Sequence, residues 1–116
     1  MVKNVGTVTY NGKELMRHLK GRKDDTKKLR WTLLPFKEVE DVIKVLEFGA
    51  IKYKENNWKL VKDGEFRYLN ACYRHLSAIC SGEKLDPETK LPHYAHALCS
   101  LLFALWHSKE KRNVKR

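Results

Sequence analysis

Residues 74–98 read RHLSAICSGEKLDPETKLPHYAHAL, and the fold turns on how this stretch is read. Leading into it, from residue 65 to about 81, Phe66, Leu69, Tyr73, Leu76 and Cys80 recur at three- and four-residue spacings, the period of one helical face. Gly82 then ends the pattern, as the residue that takes a left-handed conformation without a Cβ penalty. Residues 83–91, EKLDPETKL, are polar and aperiodic and form a connecting loop. A further helix starts near Pro92 and continues to about 109, with Ala95, Leu98, Leu102 and Leu105 as its expected core face. A short loop between two helices makes them antiparallel neighbours. His75, near the end of one, then faces His93 and His96, at the start of the other, with Glu83 and Asp86 on the loop between them.

Upstream, Phe36, Val39, Ile43, Leu46, Ala50 and Tyr53 mark a helix over 36–54, and Pro35 fits its start. Gly49 inside it costs about 1 kcal/mol of helix propensity, which points to a close helix crossing or a ligand approaching there. Residues 5–10, VGTVTY, alternate like a strand, and Asn11-Gly12 is a hairpin-turn signal; residues 13–19 form either the return strand or a helical turn. The fold class is therefore mainly α: three long helices with a small N-terminal β-strand or hairpin. Residues 1–30 form a basic β element and linker, 31–109 the helical domain, and 110–116 a basic tail.

The net charge of +10 is unevenly placed. Residues 1–30 carry nine Lys and Arg against three acids, residues 107–116 five against one, and residues 31–106 ten of each. The basic ends are either solvated tails or attractors of polyphosphate. No helix-turn-helix, zinc-finger or aromatic-basic RNA motif is visible, so nucleic acid is not the expected partner. No apolar run approaches the ~20 residues of a membrane span, and the N-terminus has no apolar signal core. Cys72, Cys80 and Cys99 fall at apolar helical positions without metal-type spacing and read as reduced core residues of a cytoplasmic protein. One modest core in a chain this short also leads us to expect association with further copies.

On the last helix His93, His96, Ser100 and His107 fall within a ~60° arc, and His93 and His96, three apart, can converge on one ligand. Histidines with carboxylates suit Mn²⁺, Fe²⁺ or Zn²⁺, with Mg²⁺ open through the carboxylates. The candidate metal ligands are His75, Glu83, Asp86, His93 and His96. Each has a plainer reading: polar residues satisfied at a helix interface, a capping aspartate before Pro87, a surface glutamate at Glu83 or Glu88. Lys52 and Arg74 could take phosphate and Tyr53 and Trp58 could stack on a base; otherwise the first two are solvated or ion-paired, and the aromatics are core.

The runs Gly49-Ala50, Lys52-Tyr53 and Asn57-Trp58, then Arg74-His75-Leu76, Gly82-Glu83, Asp86 and His93-x-x-His96-Ala97, resemble the small phage proteins described as dATP/dGTP diphosphohydrolase N-terminal domains. These are grouped with the MazG-like all-α nucleoside triphosphate pyrophosphohydrolases. The resemblance covers about residues 30–106. It implies a MazG-like helical bundle, a divalent metal (Mg²⁺ or Mn²⁺ first, Zn²⁺ or Fe²⁺ next) and dimers or higher homo-oligomers in the host cytoplasm. It also implies a purine (d)NTP substrate cleaved to monophosphate and pyrophosphate. On this reading Glu83, Asp86 and His96 are catalytic, and Lys52, Tyr53, Asn57, Trp58 and Arg74 hold nucleotide. MazG-like enzymes bind metal through Glu-x-x-Glu and Glu-x-x-Asp pairs on helices; here Glu83-x-x-Asp86 has the second spacing but falls on a loop. Where the family tends to have Ser-Gly after the acidic loop and Asn in the last helix, this chain has Thr89-Lys90 and Ser100. The alternative is a non-catalytic protein of the same fold, such as a phage sponge that sequesters a host nucleotide signal.

Overall fold

The computed structural model describes residues 4–5, 8–9 and 21–114, with side chains over 21–110. The chain divides into two units, Met1–Trp31 and Thr32–Arg116. In the first, β1 (Asn4–Val5) and β2 (Val8–Thr9) pair antiparallel, Asn4 opposite Thr9 and Val5 opposite Val8. The turn expected at Asn11-Gly12 and the segment 13–19 lie outside the described residues.

The second unit is helical. It holds α1 (Phe36–Lys52), α2 (Gly64–Cys80) and α3 (His93–Val114), with single 3₁₀ turns at Asn57–Leu60 and, across the unit boundary, Trp31–Leu33. α1 ends at Lys52, slightly before the expected 54, because the backbone turns out of helical geometry at Lys54, whose φ is 150°. α3 runs five residues past the expected 109, into what the sequence reads as a tail. α2 ends in a Schellman motif: Glu83 N–H donates to Ala78 O (3.0 Å) and Gly82 N–H to Ile79 O (2.9 Å), with Gly82 at φ 95°. Among the described residues no helix is long and apolar enough to cross a membrane.

Two histidine contacts show that α2 and α3 run antiparallel. His75, late in α2, meets His93 at the first turn of α3. Gly64, first in α2, lies against the His107 ring late in α3, and a Cβ at Gly64 would overlap that ring. His107 is buried, stacks on Tyr68 and donates Nε2–H to Trp58 O at 2.9 Å. α1 reaches α3 through a small apolar cluster of Val42, Val45, Ala95 and Cys99.

The expected core faces are corrected by this packing. On α1 the buried residues are Val42 and Val45, while Phe36, Ile43 and Tyr53 are exposed. On α2 Cys72 is buried, while Phe66, Tyr73, Leu76 and Cys80 are exposed. Cys80 is therefore not a core residue; Cys72 and Cys99 are, and burial pushes the Cys99 thiol up to about 11. On α3 the expected polar stripe is largely inside, with His93, Ser100 and His107 buried, and Leu98, Leu102 and Leu105 are exposed. The reason is the partners those polar groups find: a carboxylate and an imidazole for His93, a backbone carbonyl for His107.

Candidate functional site

The site grows from the loop between α2 and α3. This loop is a small hairpin, closed by a bridge between Leu85 and Pro92 and by His93 N–H donating to Lys84 O at 2.9 Å. Asp86 organises its tip. Its N–H donates to Leu91 O (2.8 Å), and its Oδ1 accepts from the N–H groups of Glu88 and Thr89, both at 2.9 Å. The aspartate thus caps the turn with one oxygen and leaves Oδ2 for another partner. Lys90 takes φ 62°, a left-handed position where glycine costs least. Thr89 Oγ1 accepts from Leu91 N–H (3.2 Å) and bonds His96 Nε2 at 2.7 Å. So Thr89-Lys90 retains a hydroxyl at the serine place and a left-handed backbone at the glycine place.

Three imidazoles cluster behind that turn. His93 Nε2 lies 2.7 Å from Glu83 Oε1 and its Nδ1 lies 2.8 Å from His75 Nδ1. A carboxylate only accepts, so His93 Nε2 carries the proton and its Nδ1 is directed at His75. His75 and His96 stack with centroids 4.7 Å apart. Burial, then the charges of His96 and His93, lower the pKa of His75; burial also lowers that of His96, outweighing the Asp86 carboxylate. Both rings are therefore held neutral, the form that ligates metal. Burial alone would raise the Asp86 carboxyl, but the N–H groups of Thr89 and Glu88 and the nearby imidazoles hold it below its ordinary value. His75, Asp86 and His93 each offer a ligand atom, and these atoms lie within 4.8 Å of one another.

His75, His96 and Asp86 line a cleft of about 990 Å³ whose walls come from α1, the 3₁₀ turn, α2, α3 and the Asp86 loop. Lys52, Tyr53, Asn57, Trp58, Arg74, His75, Asp86 and His96 all line it; Glu83 and His93 stand behind His75, outside the lining. The candidate residues are not equivalent there. Lys52 Nζ donates to Glu88 Oε2 at 2.8 Å, and this bond raises its pKa. Arg74 has no ion pair among the described residues. Tyr53 is exposed, whereas Trp58 is half-buried, stacked on Phe103 (4.2 Å, 11°) with Trp106 against its edge. Tyr53 is thus the open ring of the two, and Trp58 belongs mostly to the aromatic core. Gly49 also lines the cleft, and a Cβ built there meets no atom within 4 Å, so a close helix crossing does not account for it. Sequence reasoning missed Thr89 and the Lys52–Glu88 pair. The Asp-Pro-Glu-Thr turn was a usable signal for the first; nothing marks the second, because its partners are 36 residues apart.

A helical domain with a mixed histidine–carboxylate cluster beside a cation-bearing cleft is the class that this fold and site define. Its sequence matches the family model described as dATP/dGTP diphosphohydrolase, N-terminal, over residues 15–116, and the chain belongs to that family. It is also similar to a dATP/dGTP diphosphohydrolase of Salmonella phage PMBT28, 36% identical over 86 residues, covering 74% of this chain and 29% of that one. The chain thus spans less than a third of the length of that curated relative. No solved structure matches it.

Proposed function

We propose that this chain is a metal-dependent nucleotide pyrophosphohydrolase domain that takes purine deoxynucleoside triphosphates and yields monophosphate and pyrophosphate. One observation carries the reading: the His75, Asp86 and His93 ligand atoms converge, and two of these residues, His75 and Asp86, line the same cleft as Lys52 and Arg74. The donor set of imidazole nitrogen and carboxylate oxygen fits Mn²⁺, Zn²⁺ or Fe²⁺, and Mg²⁺ less well. A metal bound there supplies Lewis-acid charge beside the phosphates.

The chain's own groups do the remainder. Glu83 fixes the His93 tautomer, and the Asp86 turn presents Oδ2. Arg74 takes phosphate oxygens bidentately, and Lys52 exchanges Glu88 for phosphate. Tyr53 offers its ring to the base and Asn57 its amide. Water adds to the α-phosphorus, the bond to the α,β-bridging oxygen breaks, and pyrophosphate leaves. The neutral ring of His96 takes the water's proton.

A capture-only protein of the same fold is the second reading. It is favoured by the fact that Asp86 is the one carboxylate of the converging trio and already spends an oxygen on its turn. The test is incubation with dATP and dGTP plus Mn²⁺ or Mg²⁺, with chromatography for monophosphate and pyrophosphate. Turnover lost by about two orders of magnitude or more in Asp86→Asn and His75→Ala, with helical circular dichroism retained, supports the enzyme. Tight binding of unaltered nucleotide supports capture, and neither binding nor turnover overturns both.

A further inference from the structure

The converging trio offers a metal ion one carboxylate, Asp86, and that carboxylate already gives Oδ1 to the N–H groups of Glu88 and Thr89. Divalent cations such as Mn²⁺ take further oxygen ligands when they can. Three other carboxylates line the cleft, those of Glu47, Glu55 and Glu88. Glu88 stands apart from the other two because its N–H is bonded to Asp86 Oδ1 at 2.9 Å, which pins its backbone to the trio. Its side chain is 57% exposed, and its carboxylate is engaged by Lys52 Nζ at 2.8 Å. The charge of that carboxylate nevertheless reaches the His96 ring, which stacks on His75.

We propose, resting on the function argued above, that Glu88 is a conditional metal ligand. In the free protein its carboxylate pairs with Lys52; when a nucleotide's phosphates take Lys52, the carboxylate is released to the metal held by His75, Asp86 and His93. Only side-chain torsions need to change, because the Asp86–Glu88 turn keeps its backbone bonds. Lys52 exchanges one anionic oxygen for another and is never left without a partner.

The exchange is easy because the bond that breaks is weak. Lys52 and Glu88 are both on the surface, and an exposed ion pair lowers the affinity of a competing phosphate by no more than about fivefold. The released carboxylate brings the metal a second negative oxygen ligand, where the trio alone supplies one. Metal and nucleotide are thereby coupled through one side chain with two positions. By linkage each must tighten the other by the same factor. Without nucleotide the site holds metal loosely, and it completes its oxygen ligands when phosphate arrives.

Mn²⁺ binding to the full chain without nucleotide, read from the free-ion electron paramagnetic resonance signal, tests the exchange. Lys52→Met releases Glu88 permanently and should tighten Mn²⁺ by about three- to fivefold. In a Glu88→Gln background the same substitution should change Mn²⁺ affinity by under about twofold. That comparison separates the freed carboxylate from the loss of a nearby positive charge. Glu88→Gln alone should leave Mn²⁺ binding nearly as it is, yet tighten dATP binding in EDTA by about threefold, since Lys52 has lost its internal competitor. Both side chains are exposed, and helical circular dichroism verifies that the variants fold. Equal tightening by Lys52→Met in the two backgrounds overturns the inference, as does a dATP affinity that Glu88→Gln leaves unchanged or lowers. In both cases Mn²⁺ binding by the parent leaves the metal site standing; a parent that binds no Mn²⁺ overturns the site and the exchange together.

Discussion

Glu83 Oε1 lies 2.7 Å from His93 Nε2, and the opposite nitrogen of the same ring lies 2.8 Å from His75 Nδ1. The carboxylate is half-exposed and the imidazole it holds is buried. This is the arrangement in which an outer carboxylate sets the tautomer and orientation of an inner ligand. In the proposed metal site Glu83 would therefore act by positioning His93 rather than as a ligand, because its Oε1 is engaged by His93 Nε2.

Glu83→Gln should therefore weaken Mn²⁺ or Zn²⁺ binding by about 10- to 100-fold while leaving the fold intact. Titration calorimetry, with circular dichroism as the control, checks this. Unchanged metal affinity would make Glu83 an ordinary surface acid.

Gly49→Ala should have opposite effects on stability and ligand. The new Cβ meets nothing within 4 Å, so the helix gains about 1 kcal/mol. The same methyl enters the cleft and should lower nucleotide affinity. Thermal melts and equilibrium binding read the two effects separately; a variant that gains stability with unaltered affinity would detach Gly49 from the site.

Lys90→Gly should stabilise the protein by about 0.5–1 kcal/mol, because φ is 62° and a side chain there is strained. Chemical denaturation measures it, and a loss of stability would show that Lys90 makes a compensating contact.

Metal-free protein should lose stability as the pH falls from neutrality through about 6. His75 and His96 have pKa values lowered from 6.5. The unfolded chain then takes up their protons first, and the folded state loses ground below the unfolded value. Asp86, lowered from 3.8, adds a further loss in more acid solution, present above that value and gone below its folded one. Melting temperatures at pH 7.5 and 5.5 for the parent and for His96→Gln test the sign: the variant should show the smaller drop.

The three helices, the stop at Gly82 and the convergence of His75 with His93 and Asp86 were legible in the sequence, because periodicity and one turn signal suffice for an antiparallel pair. Which face of each helix lies inside was not. Leu98, Leu102 and Leu105 make the stronger apolar stripe, but His93 and His107 are buried because Glu83, His75 and the Trp58 carbonyl satisfy them. Hydropathy cannot register a partner that arrives from another element. Trp58 shows the same limit: as a residue type it suits base stacking, and only packing reveals that Phe103 already covers a face of it.

The two histidine contacts that tie α2 to α3 have a mechanical consequence. One lies at each end of the helix pair, at His75–His93 and at Gly64–His107, so the wall carrying Arg74 is clamped over its length. Among the described residues α1 is fastened to α3 by the patch of Val42, Val45 and Leu46 near its middle, and its Lys52 end is tied to the loop by one exposed ion pair. The cleft thus has one stiff jaw and one compliant one. Amide hydrogen exchange should be slow through α2 and the first turns of α3 and faster in the last turn of α1. Occupancy of the cleft should slow exchange most at Gly49–Tyr53, where the compliant jaw closes on its load.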